Sequence, residues 1–340
     1  MTHQKPAILV MLDRHLGNFL VASPVLAHIA RHNPTRSVIN DSFQALARRI
    51  PGFPEPCARF PSRAAPRWQR ATAFLSALRT IRAHQPEWLA DFGGSNSGAL
   101  LSGLSGAPMR ICRKRAPRAW LYNRLADFPP PEAHRIAYYG ALAEAAGFEG
   151  PWGRPEVVAT AEDLHRFEQL RLPDLAQIVC LHVAGGKSYK HWPVERYAAL
   201  SDWLSDQGLS PALVGAAPDR AAADRMLAHC TRPPLDLVAR LELGPLIALF
   251  QRCGLFVGND SGPMHLAAAA GAPIVALFGP TDPRRWGPLS ERAVIVRGTE
   301  PVPPGEGKKS FADGRRMDSI TVEQVRSAVV EQLTLAPGGR

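Results

Sequence analysis

The sequence has few cysteines, and their spacing excludes two classes of protein. None of the five, Cys57, Cys112, Cys180, Cys230 and Cys253, belongs to a C-x-x-C pair. A zinc site or the disulfide framework of a small secreted domain would need such clustering. The sequence also lacks any uninterrupted apolar run of about 18 residues, the length that a membrane-spanning helix requires. We therefore expect a cytoplasmic protein that neither crosses a membrane nor carries a secretory leader.

Acidic residues are fewer than basic residues: the sequence contains 30 aspartates and glutamates and 40 lysines and arginines. The resulting net charge of +10 calls for anionic partners, and nucleic acid, an acidic membrane surface and phosphorylated small molecules all qualify. The sequence has no nucleic-acid recognition motif and no aromatic platform, so we expect no nucleic-acid partner. It has no D-x-D motif and no clustered histidine and cysteine ligands, so we expect no metal and no resident cofactor.

The order of the predicted elements indicates two α/β domains. A chain of 340 residues suits two cores rather than one. Short apolar runs alternate with helical patterns in both halves, which predicts parallel sheets with helices on both faces. Pro151, Pro155 and the polar run 160–162 mark a boundary between the halves. We predict an N-terminal domain at residues 1–160, a C-terminal domain at residues 161–320 and a C-terminal helix in residues 321–340. Whether this helix packs back on the N-terminal domain is left open.

A segment of the second half, residues 255–288, carries the strongest functional signal. Its sequence, LFVGNDSGPMHLAAAAGAPIVALFGPTDPRRWGP, predicts a strand, a turn, a helix that starts near Ser261, another strand and a loop. A helix that opens at the carboxyl end of a parallel strand presents free N–H groups and the positive end of its dipole. The segment therefore predicts a binding site for a nucleotide diphosphate.

Other loops of the second half are predicted to line the same pocket. Gly185 and Gly186 permit close backbone approach, and Lys187 and Lys190 offer charges to phosphate, although a flexible surface loop is the alternative. Asp219 is a candidate for ribose hydroxyls or for a helix N-cap. Asp260 is a candidate partner of backbone N–H groups or of Lys190. His265 is a candidate for a nucleotide contact, with packing in the core as the alternative. Thr281 is a candidate for a phosphate or sugar contact, with a plain structural turn as the alternative.

A basic cluster in the first half points to an anionic acceptor. Residues 109–118, MRICRKRAPR, contain Arg110, Arg113, Lys114, Arg115 and Arg118, which are suited to phosphate groups or to an anionic membrane surface. A solvated surface loop is the alternative. Our candidates for acceptor binding are Arg14, Arg110, Arg113 and Lys114.

Several motifs together resemble glycosyltransferase family 9, the lipopolysaccharide heptosyltransferases. They are D-S-G-P-x-H-L-A-A-A-x-G-x-P from Asp260, L-F-G-P-T from Leu277, K-x-W-P from Lys190, L-D-R-x-x-G from Leu12 and M-D-S-I-T-V-E-Q-V from Met317. The resemblance implies a GT-B fold, with two Rossmann-like doubly wound domains facing a central cleft. It implies an acceptor held mainly by the N-terminal domain, an ADP-sugar held by the C-terminal domain, and a donor site that includes Lys190, Asp260, Ser261, Gly262 and His265.

The chain departs from the family at one position. The family has an aspartate after the glycine of L-D-R-x-x-G, regarded as the general base, and this chain has Asn18 there. An amide cannot accept a proton from a hydroxyl, whereas asparagine is a good N-cap for the predicted helix. Three explanations stay open: Asp13, which is retained, serves as the base, the acceptor is activated in a different way, or the protein is catalytically weakened.

These observations lead to one expected reaction and two alternatives. We expect an inverting, metal-independent transfer of heptose from ADP-heptose to a phosphorylated glycolipid, with Asp13, Asn18 and Lys190 as the catalytic candidates. The protein would then work in the cytoplasm, with peripheral attachment to the inner membrane left open. A different nucleotide sugar or acceptor is one alternative, and a homologue that binds nucleotide sugar or glycolipid without turnover is the second.

Overall fold

The computed structural model describes residues 6–62, 64–127, 129–130, 132–299 and 315–335. The chain divides into two compact units, Met1–Glu156 and Val157–Arg340. The division falls close to the predicted end of the first domain at residue 160. Residues 336–340 of the predicted C-terminal segment lie outside the described part.

The first unit alternates strands and helices from its first apolar run onward. β1 consists of five buried apolar residues, AILVM, and a central strand covered on both faces needs such a run. The strands are β1 (Ala7–Met11), β2 (Thr35–Asn40), β3 (Pro56–Phe60), β4 (Trp88–Asp91), β5 (Met109–Arg113) and β6 (Arg124–Ala126). The helices are α1 (Leu16–His32), α2 (Gln44–Ala47), α3 (Arg67–Ala83), α4 (Asn96–Leu104) and α5 (Arg135–Ala145).

The second unit repeats this alternation. Its strands are β7 (Ile178–His182), β8 (Ser210–Leu213), β9 (Leu235–Asp236), β10 (Leu255–Asn259), β11 (Ile274–Phe278) and β12 (Ala293–Arg297). Its helices are α6 (Ala161–Glu168), α7 (Val194–Asp206), α8 (Arg220–Leu227), α9 (Leu243–Arg252), α10 (Gly262–Ala269), α11 (Pro283–Trp286), α12 (Arg315–Asp318) and α13 (Val322–Leu335). α13 packs against β11, β12 and α7 of this unit. Packing of the segment on the N-terminal domain stays a prediction.

The two sheets share one topology. Their strand orders are β3-β2-β1-β4-β5-β6 and β12-β11-β10-β7-β8-β9, and the paired strands are parallel. Counted within each unit, both give the order 3-2-1-4-5-6 of a doubly wound Rossmann fold. The predicted α/β class with two Rossmann-like doubly wound domains is confirmed. The strand order reverses between β1 and β4 and between β7 and β10, and ligands of such folds bind outside these switch points.

The structure corrects the alternative that the basic cluster is a surface loop, and its contact with an acceptor stays a prediction. Its first half is strand β5, in which Ile111 and Cys112 are fully buried. Arg115 and Arg118 follow the strand and are exposed. Within the described ranges, no helix combines the length and apolarity needed to span a membrane.

Candidate functional site

Each unit carries a cluster of polar side chains at its switch point. In the first unit the cluster follows β1 and β4, and in the second it follows β7 and β10. The carboxyl ends of parallel strands meet at one edge of a sheet, which brings residues distant in sequence together. Each cluster is described within its own unit.

Lys190, Asp260 and Thr281 form the centre of the second cluster. Asp260 follows β10, and its Oδ2 lies 2.6 Å from Lys190 Nζ and accepts a hydrogen bond from Thr281 Oγ1 at 2.7 Å. The predicted contact between Lys190 and Asp260 is confirmed. An ammonium has three donors, and Asp260 is the one partner found for Nζ among the described residues. Lys190 is thus held in place with donors left for an anion.

The N-terminus of α10 lies next to this ion pair in sequence. Ser261 occupies the N-cap position, as predicted, but its side chain makes no capping hydrogen bond. Its Oγ lies 3.4 Å from His182 Nδ1 instead. The first N–H groups of α10, beginning at Gly262, are therefore not satisfied by the serine side chain, and the positive end of the helix dipole favours an anion there.

Asp219 is tied to the end of β7. Its Oδ2 accepts a hydrogen bond from Ala216 N at 2.8 Å and lies 3.5 Å from Nε2 of the buried His182. Burial alone would raise the pKa of Asp219, but the contact with His182 and the Ala216 N–H outweigh it and lower this pKa. Asp219 occupies the N-cap position of α8, as the alternative predicts, but its side chain makes no capping hydrogen bond to that helix. Its contact with ribose stays a prediction.

The other predicted donor residues surround this edge of the sheet. Gly185 has a φ of +149°, which favours glycine, and its carbonyl oxygen lies 2.9 Å from His191 Nε2. Gly186 and Lys187 are exposed, and His265 is buried one turn into α10. Ligand contacts of these residues stay predictions.

The loop that carries Lys190 is anchored by residues outside our predicted site. Asn259 is buried, and its Oδ1 accepts hydrogen bonds from Trp192 N and Tyr197 Oη, both at 3.1 Å. Trp192 Nε1 in turn donates to the carbonyl of Ile320 at 2.9 Å. The sequence signal was present in the K-x-W-P and M-D-S-I-T motifs, but their contact is visible only in three dimensions.

Asp13 and Asn18 form the centre of the first cluster. Asn18 Nδ2 donates to Asp13 Oδ2 at 2.7 Å. The N-cap interpretation of Asn18 is wrong, because His15 occupies the N-cap of α1 and Asn18 lies in its first turn. Burial would raise the pKa of Asp13, but hydrogen bonds from the His15 backbone, the His15 ring and Asn18 lower it. Asp13 is therefore ionised well below neutral pH.

A buried carboxylate at the end of β4 was missed by the sequence analysis. Asp91 is 1% exposed, and it accepts hydrogen bonds from Tyr122 Oη at 2.6 Å and from Gly94 N at 2.8 Å. Burial raises the pKa of Asp91 to about 6, although these hydrogen bonds and the charge of Arg113 act in the opposite direction. In the sequence, Asp91 is one polar residue within an otherwise apolar run, WLADF.

The raised pKa of Asp91 predicts a specific pH dependence of stability. Its contribution to the free energy of unfolding is fully present below about pH 4 and is lost as the pH rises through about 6. Between pH 4 and 7, Asp91→Asn should therefore gain up to about 3 kcal/mol of unfolding free energy relative to wild type. Denaturant titrations of both proteins at three pH values measure this difference. The contributions of the other carboxylates to the free energy of unfolding cancel, because both proteins contain them. A difference that does not change with pH would contradict the prediction.

The predicted acceptor residues are not gathered in one place. Arg110 donates to the carbonyls of Leu121 and Ala107, at 2.9 and 2.8 Å, and so supports the loops around β5. Lys114 pairs with Asp127 at the surface. Arg113 Nε is buried without a hydrogen-bond partner in the described part of the chain, and Arg14 is exposed. Arg113 is thus the cluster residue best placed at the carboxyl edge of the sheet.

Comparison with known proteins gives one family match and several similar relatives. The family described as glycosyltransferase family 9 (heptosyltransferase) matches residues 74–313. Lipooligosaccharide heptosyltransferase 2 of Haemophilus influenzae is 33% identical over 158 residues, which cover 43% of this chain and 44% of that protein. Lipopolysaccharide heptosyltransferase 3 of Escherichia coli K12 is 24% identical over 292 residues, covering 83% and 85%. The chain thus matches less than half the length of the first of these relatives.

Solved structures extend the similarity to the whole fold. A glycosyl transferase of family 9 from Veillonella parvula superposes with a TM-score of 0.81 at 21% identity, covering 97% of each chain. The ADP-heptose lipopolysaccharide heptosyltransferase II of E. coli gives a TM-score of 0.78 at 23% identity, covering 98% of this chain and all of that one (100%). At such identities the likeness establishes the fold.

Proposed function

This chain belongs to glycosyltransferase family 9, and on that basis we propose that it transfers a heptose from a nucleotide-activated donor to a lipopolysaccharide core or related glycan. The observation that carries the proposal is the Lys190, Asp260 and Thr281 cluster beside the N-terminus of α10. A cation held by a carboxylate, next to N–H groups without a side-chain cap, suits a leaving diphosphate. We propose ADP-heptose as the donor, as in the name of the E. coli relative.

The proposed reaction inverts the anomeric carbon. An acceptor hydroxyl attacks that carbon from the face opposite the diphosphate, and the nucleoside diphosphate leaves. Negative charge grows on the leaving phosphate in the transition state, and Lys190 and the first N–H groups of α10 stabilise it there. No metal takes part in this scheme, and the described residues contain no group of three or more candidate ligands.

The acceptor in this proposal is a phosphorylated glycolipid at the inner membrane surface. α3 supports membrane contact, because its sequence RWQRATAFLSALRTIRA contains four arginines and no acidic residue. Trp68 and Leu75 stand seven residues apart on it and are 66% and 51% exposed. Two apolar side chains among arginines suit insertion at the headgroup level of an anionic bilayer.

We expect the double variant Trp68→Ser, Leu75→Ser to bind vesicles that contain anionic lipid at least about tenfold more weakly. Each burial of such a side chain contributes about 1.5–3 kcal/mol. Cosedimentation with vesicles of phosphatidylglycerol and phosphatidylethanolamine measures the change. Val330→Ser, which removes an exposed apolar side chain of the second unit, is the control. Equal binding of vesicles by the double variant and the control would show that α3 does not contact the membrane.

One assay separates the proposed reaction from the two rival functions. The protein is incubated with ADP- and UDP-sugars and a truncated core acceptor, and both nucleoside diphosphate release and product mass are followed. We expect release and a product one heptose heavier with ADP-heptose. A product with another donor or acceptor would assign a different specificity. Nucleotide-sugar binding without any product would identify a binding protein, the function that Asn18 suggests when considered alone.

A further inference from the structure

The Asp13 carboxylate in the first unit is occupied by four hydrogen-bond donors. Its Oδ1 accepts from Arg14 N at 2.6 Å and His15 N at 2.9 Å, and it lies 2.9 Å from His15 Nδ1. Its Oδ2 accepts from Asn18 Nδ2 at 2.7 Å. Hydrogen bonds to the charged form of a carboxyl weaken it as a base, in line with its lowered pKa. Asp13 is therefore poorly suited to take a proton from an acceptor hydroxyl.

The same contacts orient the imidazole of His15. With Nδ1 protonated and donating to Asp13, the lone pair of Nε2 is left free to accept a proton. The His15 side chain is 64% exposed, whereas that of Asp13 is 15% exposed. A carboxylate that fixes the tautomer of a neighbouring histidine is the arrangement used by hydrolases to prepare a general base.

The backbone that carries Asp13 is held by contacts from two other segments. The Asn40 side chain donates to the carbonyl oxygen of Asp13. Gly93 packs so closely that a Cβ there would lie 2.8 Å from Leu12 N. The backbone of Leu12 and Asp13 thus lies between β2 and the turn after β4, at the switch point of the first sheet.

We propose that His15 is the general base of this protein, with Asp13 and Asn18 as positioning residues. The inference rests on the proposed transfer reaction. As the bond between the acceptor oxygen and the anomeric carbon forms, the hydroxyl proton passes to His15 Nε2. The bond from that carbon to the diphosphate oxygen breaks, and its electron pair leaves with the nucleoside diphosphate. The imidazolium is stabilised by the Asp13 carboxylate and then releases its proton to solvent.

Chemical rescue tests this assignment. We expect His15→Ala to lower kcat by about 10²–10⁴, with nucleotide affinity retained, and added imidazole to restore part of the lost rate. His15→Gln keeps a polar partner for Asp13 without a titratable nitrogen, so it should show the same fall. Asp13→Asn should lower kcat while leaving the donor KM unchanged. His32→Ala, at the far end of α1, is the control and should keep wild-type activity.

The possible outcomes separate the two proposals. If wild type transfers no sugar to any acceptor, the proposed function fails. If wild type is active and the kcat of both His15 variants stays within about threefold of the wild-type value, His15 is not the base. Removal of a general base lowers the rate by a factor of at least about 10². If the His15 variants bind nucleotide and are inactive but imidazole does not rescue His15→Ala, the residue is structural and the inference is overturned. Should His15→Ala fail to fold, a near wild-type rate in His15→Gln would overturn it.

Discussion

Replacing Lys190 with alanine is expected to lower kcat by at least about a hundredfold, the usual effect of removing one preorganised group that stabilises developing charge. The ammonium lies 2.6 Å from Asp260 Oδ2, so it needs little reorganisation when the diphosphate leaves. The variant also leaves the nearly buried Asp260 carboxylate without its cation. The negative charge of Asp260 is then no longer balanced, and it repels the leaving group. Steady-state rates of nucleoside diphosphate release measure the effect.

Arg232→Ala is the matched control for Lys190→Ala. It also removes a cation from a salt bridge in the second unit, but its partner Asp206 lies at the surface, 2.8 Å away. Exposed pairs of this kind contribute about 0–1 kcal/mol, so activity should stay close to wild type. If Lys190→Ala is as active as this control, Lys190 does not stabilise the leaving phosphate.

Asn18→Asp restores the residue that the family has at this position, and we expect it to lower activity by about tenfold to a hundredfold. Asn18 Nδ2 donates to Asp13 Oδ2 at 2.7 Å, so the substitution replaces a hydrogen bond with two carboxylates in contact. Hydrogen bonds to charged groups contribute about 1.5–3 kcal/mol, and two carboxylates this close cannot both ionise freely. The Asp13 carboxylate then no longer holds the His15 imidazole in the orientation that the proposed base requires.

The pH profile and one control make the Asn18→Asp result interpretable. Asn33→Asp adds the same charge at the C-cap of α1 and should have little effect on kcat. The activity of Asn18→Asp, expressed as a fraction of the wild-type activity at the same pH, should rise toward acidic pH, where one carboxyl of the pair is protonated. A large gain in transfer instead would mean that the present site descends from an aspartate base and has lost function.

The elements that sequence reasoning predicted well are those in which local pattern and tertiary environment agree. β1, β7, β10 and β11 are short apolar runs, and they are fully buried central strands. β2 escaped prediction because four of the six residues in its sequence, TRSVIN, are polar or basic and interrupt the apolar pattern.

The candidate site was predictable in composition and, for Lys190 and Asp260, in pairing. The motifs supplied Lys190 and Asp260, whose contact follows from opposite charge at one sheet edge. The roles of Asp91 and His15 depend on burial and on hydrogen bonds that the fold creates. Asn18 was interpreted as an N-cap because asparagine prefers that position, and the structure places it one turn later, against Asp13.

The anchoring of the Lys190 loop has a consequence for how the chain is made. Trp192 donates to the carbonyl of Ile320, 128 residues further along the sequence, and Arg196 donates to the carbonyl of Asp318 at 2.7 Å. A nascent chain is synthesised from its N-terminus, and domains generally fold as units in that order. The first unit can thus be complete on the ribosome while the second still lacks the backbone that holds Trp192. Competence to stabilise a leaving phosphate is acquired last, after residue 320 has emerged.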